Sequence, residues 1–260
     1  MGALHDGHMA LVDTARAEYD HVVASIFVNP TQFNEAADLT AYPRTPEADA
    51  ESLAAHGCDL LYLPTVEDIY PDGTDHSLAA GLDFGSLTAR MEGANRPGHF
   101  DGVAQVVSRL LQIVQPDALV MGQKDYQQVA IVRSMVGQLQ LSVRLRVVPT
   151  VREEDGLALS SRNRLLGDDH RAAAGRINRH LRAVVAGVRA GWEARMLENL
   201  ALDAMTADPA LQPEYVEVFD GDTLLPWAQG EAAREVVVAT AVRCGGVRLI
   251  DNRIVYSEEG

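Results

Sequence analysis

Apolar positions recur at three- and four-residue spacing from the ninth residue. Met9, Leu11, Val12, Ala15 and Tyr19 fall on one face of a helix. Residues 21–28 (HVVASIFV) are almost continuously apolar and rich in β-branched side chains. They predict a buried strand, ended by Asn29-Pro30. A helix is expected over 46–56 with Gly57 as its stop, then a short strand over 59–63 (DLLYL) closed by Pro64. Val103, Val106, Val107, Leu110 and Leu111 mark a helix over 100–113, broken by Pro116-Asp117. A strand over 118–121, an amphipathic helix over 125–139 and a strand over 144–151 follow. Pro149 suits an edge or a strand terminus. Strand and helix alternating at this pace predict βαβ units and a parallel sheet. Residues 70–102 carry Gly, Asp and Pro without a clear period and predict a long loop with short strands.

The pattern changes after Val151. Residues 152–164 are polar and contain glycine, which predicts a hinge. Helices are expected over 168–190 and 194–207. Strands follow over 215–219, 235–241 and 247–256, the last two around Cys244-Gly245-Gly246. Helices followed by a run of strands read as a small α+β domain. The division is therefore 1–150 and 151–260. No internal repeat or low-complexity tract interrupts it.

Composition narrows the classes. With 47% hydrophobic residues in 260, the chain can bury a sizeable core. A net charge of −15 argues against a broad nucleic-acid surface, which needs clustered Lys and Arg. It leaves room for a small anion held by a few local cations. Cys58 and Cys244 form no metal spacing, and a single long-range disulfide stays open. Two cysteines fit a reducing cytoplasm. No signal-peptide pattern and no membrane-length apolar run is present, so no membrane partner is expected.

The most informative stretch is the opening MGALHDGH. His5 and His8 lie three apart, with Gly2 and Gly7 around them. If Asp6 is the N-cap, both imidazoles sit on one side of a helix N-terminus. Backbone N–H groups and the positive end of the helix dipole point the same way, which suits a polyphosphate. Two histidines at a helix start, one capping and one solvated, is the plainer reading. A zinc pair lacks the Glu of HExxH and any cysteine cluster.

Four further clusters could carry chemistry. Asn29-Pro30-Thr31-Gln32-Phe33 follows the carboxyl end of a strand, where ligands bind in open α/β sheets. Gln32 offers a donor and an acceptor there. Gly122-Gln123-Lys124-Asp125-Tyr126-Gln127-Gln128 opens a helix after another strand. Lys124 suits a phosphate, Asp125 a ribose hydroxyl, and Gln128 lies four beyond Lys124 on the same helical face. Leu159-Ser160-Ser161-Arg162-Asn163 puts two hydroxyls beside a guanidinium, a compact phosphate grip. In the loop 92–100, Arg96 and His99 could reach a ligand or a partner chain. Each cluster alone also reads as an ordinary turn or cap. Their recurrence after several strands is what points to one site.

These residues carry a resemblance. MGALHDGH, SIFVNPTQF, YPRTPEAD, RPGHFDGVA, GQKDYQQ, PTVREEDGLALSSRN and the closing RLIDN occur in the order seen in pantoate–β-alanine ligases, from Met1 to Asn252. That family belongs to the HxGH nucleotidyltransferase superfamily. The resemblance implies a Rossmann-like parallel sheet with helices on both faces over 1–150, binding nucleotide and pantoate. It implies a small C-terminal lid domain over 151–260. The implied reaction uses ATP and Mg²⁺, forms pantoyl adenylate and pyrophosphate, and passes the acyl group to β-alanine with release of AMP. Met1, Gly2, Ala3, Leu4, His5, Asp6, Gly7 and His8 match ATP-contacting positions. So do Gly122, Gln123, Lys124, Asp125, Val151, Leu159, Ser160, Ser161 and Arg162. His8 matches a proton donor, and His5, Lys124, Ser160, Ser161 and Arg162 would stabilise charge beside it. Gln32 and Gln128 match pantoate-binding glutamines, and Asp49 a Mg²⁺-associated carboxylate. A homodimer is the family precedent.

Three departures stand out. The family carries about thirty residues before the motif, including the first sheet strand, and the expectation is that this strand is missing here. The explanation would be a start assigned too late or an inactive, N-terminally truncated remnant. GQKD replaces GEKD, so Gln123 lacks a charge, and Phe33-Asn34 replaces Phe-Gly. A cytidylyltransferase-type HxGH enzyme is the other enzymatic reading, disfavoured by the two glutamine motifs and SSRN.

Overall fold

The computed structural model describes residues 2–32, 40, 44–73 and 79–257. Met1 and Phe33-Asn34 lie outside the described residues. The chain divides into two compact units. The first is 1–123 with 127–149, and the second is 124–126 with 150–260.

In the first unit, α1 (Asp6–Glu18) buries Met9, Val12 and Ala15, the stripe expected from the spacing. Its N-cap is His5, not Asp6: the Gly7 N–H donates to His5 Nδ1 at 3.2 Å. Asp6 instead occupies the first turn, where its charge complements the helix dipole. Strand β1 (Val23–Ser25) pairs in parallel with β2 (Leu60–Tyr62). The β1 strand is shorter than the apolar run because its partner stops. Ile26 makes one more bond, to the Tyr62 carbonyl, and Pro64 ends the ladder. Helix α2 (Pro46–Ala55) lies between them in sequence, and Gly57 follows it at φ 76°.

A second parallel pair joins β3 (Ala118–Gly122) to β4 (Arg144–Val148). Among the described residues the two pairs share no hydrogen-bonded register. Both meet the same core: Val22, Ala24 and Val120 pack with Leu4, Met9, Val12, Ala15 and Leu53. The result is parallel sheet flanked by helices, as the alternating pattern required.

The segment expected as a loop with short strands forms none among its described residues. Helix α3 (Val66–Ile69) leads into it, and it holds the 3₁₀ turn Gly85–Thr88 and α4 (Met91–Asn95). One amide organises it. Buried Gln127 donates to the carbonyls of Leu87 (2.7 Å) and Arg90 (3.0 Å) and accepts from the Glu92 N–H (2.9 Å). A single side chain thus satisfies backbone groups that a strand ladder would otherwise take. Helix α5 (His99–Val114) follows, with Phe100, Val103, Ala104, Val106 and Leu111 buried. Gly102 is required there, since a Cβ would stand 2.8 Å from the Thr31 carbonyl oxygen. Helix α6 (Tyr126–Gln138) precedes β4.

The second unit is an antiparallel sheet, β5–β6–β7 (Leu211–Asp220, Glu235–Cys244, Val247–Ser257), with α7 (Asp168–Arg189) and α8 (Ala194–Thr206) packed on it. Ile177, Leu181, Val184 and Val188 of α7 meet Val216, Val218, Val236 and Val238 of the sheet. The β6–β7 hairpin turns on Gly245-Gly246, both at positive φ (56° and 80°), as a two-residue loop of this hand demands. The segment expected as a hinge carries local bonds. Arg152 bridges to Ala158, and the Glu153 N–H donates to the Leu157 carbonyl. Cys58 and Cys244 are free thiols. No described helix is long and apolar enough to cross a membrane.

His180, half-buried on α7, gives this unit a pH dependence. Burial pushes its pKa below the usual imidazole range, Arg179 and Arg176 add to that, and Asp208 opposes it. The unfolded imidazole titrates near about 6.5, so between the two values the unfolded chain binds more protons. The contribution to stability is whole above the unfolded value and is lost as pH falls through the folded one. The melting temperature should therefore drop on acidification from about pH 7.5 to about pH 5.5, and less steeply in His180→Gln. Equal slopes in the two proteins would count against this account.

Candidate active site

The loop before α1 is held from below. Ala3 is fully buried at φ 49°, a left-handed conformation costly for a residue with a Cβ. Asp49, 3% exposed on α2, accepts from the Ala3 N–H at 3.0 Å and the Leu4 N–H at 2.8 Å. Thr45 Oγ1 donates to the same carboxylate at 3.0 Å. Two of these three donors tie the carboxylate that was expected beside Mg²⁺ to the loop before α1. Among the described residues no group of three or more His, Cys, Asp or Glu side chains is set to hold a metal ion. Asp49 fixes the entry to α1.

At the end of that loop, the His5 and His8 rings lie in contact, with centroids 4.1 Å apart and planes tilted by 46°. The His8 N–H donates to the His5 carbonyl at 2.7 Å, which closes the first turn. Both imidazoles therefore stand at a helix N-terminus, at the positive end of the helix dipole. A helix start of this kind favours anions.

Gln32 lies in the 3₁₀ turn Pro30–Gln32, which docks on the start of α5. Asn29 holds it, donating to the Gly102 carbonyl (3.1 Å) and accepting from the Tyr70 hydroxyl (2.8 Å). Burial pushes the Tyr70 phenol above its usual pKa, so it stays protonated and a donor. Arg96 Nη2 and His99 Nδ1 both meet the Gln32 carbonyl, at 3.0 and 3.2 Å. These two residues, which could reach a ligand or a partner chain, both contact the Gln32 backbone. Its side-chain amide has no hydrogen-bond partner among the described residues, and neither does that of half-buried Gln128. Gln127 and Gln128 are thus neighbours with opposite tasks, one spent inside the fold and one available. Gln128 and Lys124 do not share a helical face. Helix α6 begins at Tyr126, and Lys124 lies in the 3₁₀ turn Gln123–Asp125 before it.

Lys124 belongs with the second unit. Its Nζ is 3.7 Å from the half-exposed Asp125 carboxylate. Its carbonyl accepts from Asn252 Nδ2 at 2.8 Å. The Tyr126 hydroxyl donates to the Gly221 carbonyl at 3.3 Å and also bonds Glu235. In the same unit Ser160 caps the turn Ser161–Leu165 by accepting from the Arg162 N–H. Asn163 steadies that turn through the Ala158 carbonyl (3.1 Å), and the turn packs against β7. The Leu159 N–H donates to the Val151 carbonyl at 3.0 Å, so those two candidates sit on neighbouring backbone.

The comparisons with known proteins agree. The family model described as pantoate-beta-alanine ligase matches residues 1–254. The chain belongs to the pantoate–β-alanine ligase family. It is 48% identical to a pantothenate synthetase of Porphyromonas gingivalis, across 97% of this chain and 88% of that protein. It is 47% identical to one from Pseudomonas aeruginosa, across 98% and 89%. The pantothenate synthetase of Thermus thermophilus superposes with a TM-score of 0.91 at 44% identity, covering 98% of this chain and 91% of that one. The pantoate-beta-alanine ligase of Francisella tularensis, complexed with beta-gamma ATP and beta-alanine, gives 0.79 at 34%, covering 100% and 89%.

Membership of the pantoate–β-alanine ligase family makes the chain an ATP-dependent, carbon–nitrogen bond-forming enzyme and sets aside the cytidylyltransferase reading. It also sharpens what the motifs are for. Several segments that carry the family resemblance are supports. Asn29, Arg96 and His99 hold Gln32, and Asp251 and Asn252 of RLIDN bear on Arg152 and Lys124.

Proposed function

We propose that the reaction runs in two steps through pantoyl adenylate. In the first, a pantoate carboxylate oxygen attacks the α-phosphorus of ATP. A new P–O bond forms, the bond to the β-phosphate oxygen breaks, and pyrophosphate leaves with that electron pair. In the second, the free amine of β-alanine attacks the acyl carbon, the C–O bond to AMP breaks, and the nitrogen loses a proton to give the amide.

Charge builds on phosphate oxygens in the first step, and donors fixed in advance stabilise it. His8, as proton donor, and His5 at the start of α1 take this role on the first unit, with the backbone of Gly2 to Gly7. Gly122 and Gln123 contribute to the same nucleotide. On the second unit Lys124, Ser160, Ser161 and Arg162 do so, with Asp125, Val151 and Leu159 as further contacts. Gln32 and Gln128 hold pantoate through amides that have no partner among the described residues. Mg²⁺ accompanying ATP would be held by the nucleotide's own phosphates. The described residues supply it no ligand set, and no step is assigned to it. The second step needs positioning more than a strong base, because the adenylate is already activated. The working form is a cytoplasmic homodimer.

The tilted histidine pair on its clamped helix start carries this reading. The test is AMP formation from ATP, expected only when pantoate and β-alanine are both supplied, with pantoate alone sufficient for ATP–pyrophosphate exchange. AMP formation without exchange would exclude the adenylate. Neither activity, in a chain whose melting temperature still rises with ATP, would point to an inactive nucleotide-binding remnant.

A further inference from the structure

We propose that Asn252 is a positioning residue for Lys124, held in place by an Arg152–Asp251 pair. This rests on the reading of Lys124 as a phosphate-binding side chain. Asn252 is 2% exposed on β7, and its Nδ2 donates to the Lys124 carbonyl at 2.8 Å across 128 positions of sequence. The residue is fixed from both sides. Its N–H donates to Asp251 Oδ1 at 2.7 Å, and its carbonyl accepts from Arg152 Nη2 at 3.0 Å. Arg152 in turn grips the Asp251 carboxylate with two parallel bonds of 2.8 and 2.9 Å, and Asp251 is 4% exposed.

A buried ion pair of this kind contributes little net stability, since desolvation offsets most of its attraction. Paired and hydrogen-bonded, it does fix geometry. Here the fixed geometry is passed on by one amide to the backbone of Lys124. Lysine needs such an anchor more than arginine does, because its charge rides on a flexible four-carbon stem. The local structure supplies little of its own, since Lys124 sits in a 3₁₀ turn of three residues. Strand β7 also packs against the Ser161–Leu165 turn. One strand therefore sets the backbone of both phosphate-directed groups of this unit, which gives the closing RLIDN motif a task.

The test is a double-mutant cycle read as kcat/KM for ATP, with melting temperatures alongside. Asn252→Asp keeps the shape but turns the donor into an acceptor facing a carbonyl. It should lower kcat/KM for ATP by about 10- to 100-fold, the scale of a misplaced catalytic group, and leave KM for β-alanine unchanged. Lys124→Ala should lower it by about 10²–10³. Added to Lys124→Ala, Asn252→Asp should cost little more, because no ammonium remains to be misplaced. The same factor in both backgrounds would overturn the proposal and leave the functional reading intact. So would normal activity of Asn252→Asp beside an impaired Lys124→Ala. Normal activity of Lys124→Ala would overturn the reading of Lys124 itself, and the proposal with it. If Asn252→Asp lowers the melting temperature by more than a few degrees, Asn252→Leu, which drops the donor without adding charge, goes through the same cycle with the same criteria.

Discussion

His8→Ala should lower the rate of pantoate-dependent pyrophosphate release by about 10²–10³, the scale set by removing one donor aimed at developing charge. The ring stands in the first turn of α1, half-buried, with its centroid 4.1 Å from that of His5. The hydrogen bond that closes the first turn uses the His8 backbone and survives the substitution, as does the His5 cap on Gly7. The helix should therefore keep its start, and the melting temperature should change little. The loss should fall on kcat more than on KM for ATP, because charge on the phosphate oxygens is greatest in the transition state. His8→Gln, which keeps a donor but no proton to give, should recover only part of the rate. A kcat within threefold of the unsubstituted enzyme would remove His8 from the chemistry and leave the pair as a capping arrangement.

Asp49→Asn should be nearly as damaging by a different route. The carboxylate accepts from two buried N–H groups, and an amide of the same shape must turn its NH₂ toward one of them. Hydrogen bonds to a charged group contribute about 1.5–3 kcal/mol each, so losing one and opposing the donor should cost about 2–4 kcal/mol. The cost falls on a loop already carrying Ala3 at φ 49°. Released, that loop would relax, and with it the start of α1 and both imidazoles. The expected outcome is a melting temperature lower by several degrees together with a raised KM for ATP. Ala3→Gly should restore stability in part, since glycine adopts positive φ without penalty. If added Mg²⁺ rather than Ala3→Gly rescued Asp49→Asn, the carboxylate would be a metal ligand and not a clamp.

The chain's own pattern carried most of the architecture. Period 3.6 placed α1, α5, α7 and α8 within a few residues, because each buries one continuous apolar stripe. The apolar strands and the Gly-Gly turn were equally readable, since backbone handedness and side-chain alternation are local properties. The family was legible as well, through seven motifs in order. Two local readings failed for a common reason. The cap of α1 passed from Asp6 to His5, and the segment 70–102, expected as a loop with short strands, holds a 3₁₀ turn and the short helix α4 instead of strands among its described residues. In each case a particular side chain took up the free backbone groups, and residue type does not say which one will.

Tertiary structure alone decided the division of labour among polar residues. Gln127 and Gln128 are identical in type and adjacent, yet one is spent on three backbone groups of the segment 87–92 while the other stays available. Asp49, His99, Arg96 and Asn252 read as ligands or as nothing in particular. Each proved to bond backbone between 45 and 128 positions away. A periodic pattern records which face of an element is dry. It holds no record of which distant carbonyl or N–H a buried polar group will meet, because that partner exists only once the chain has closed on itself.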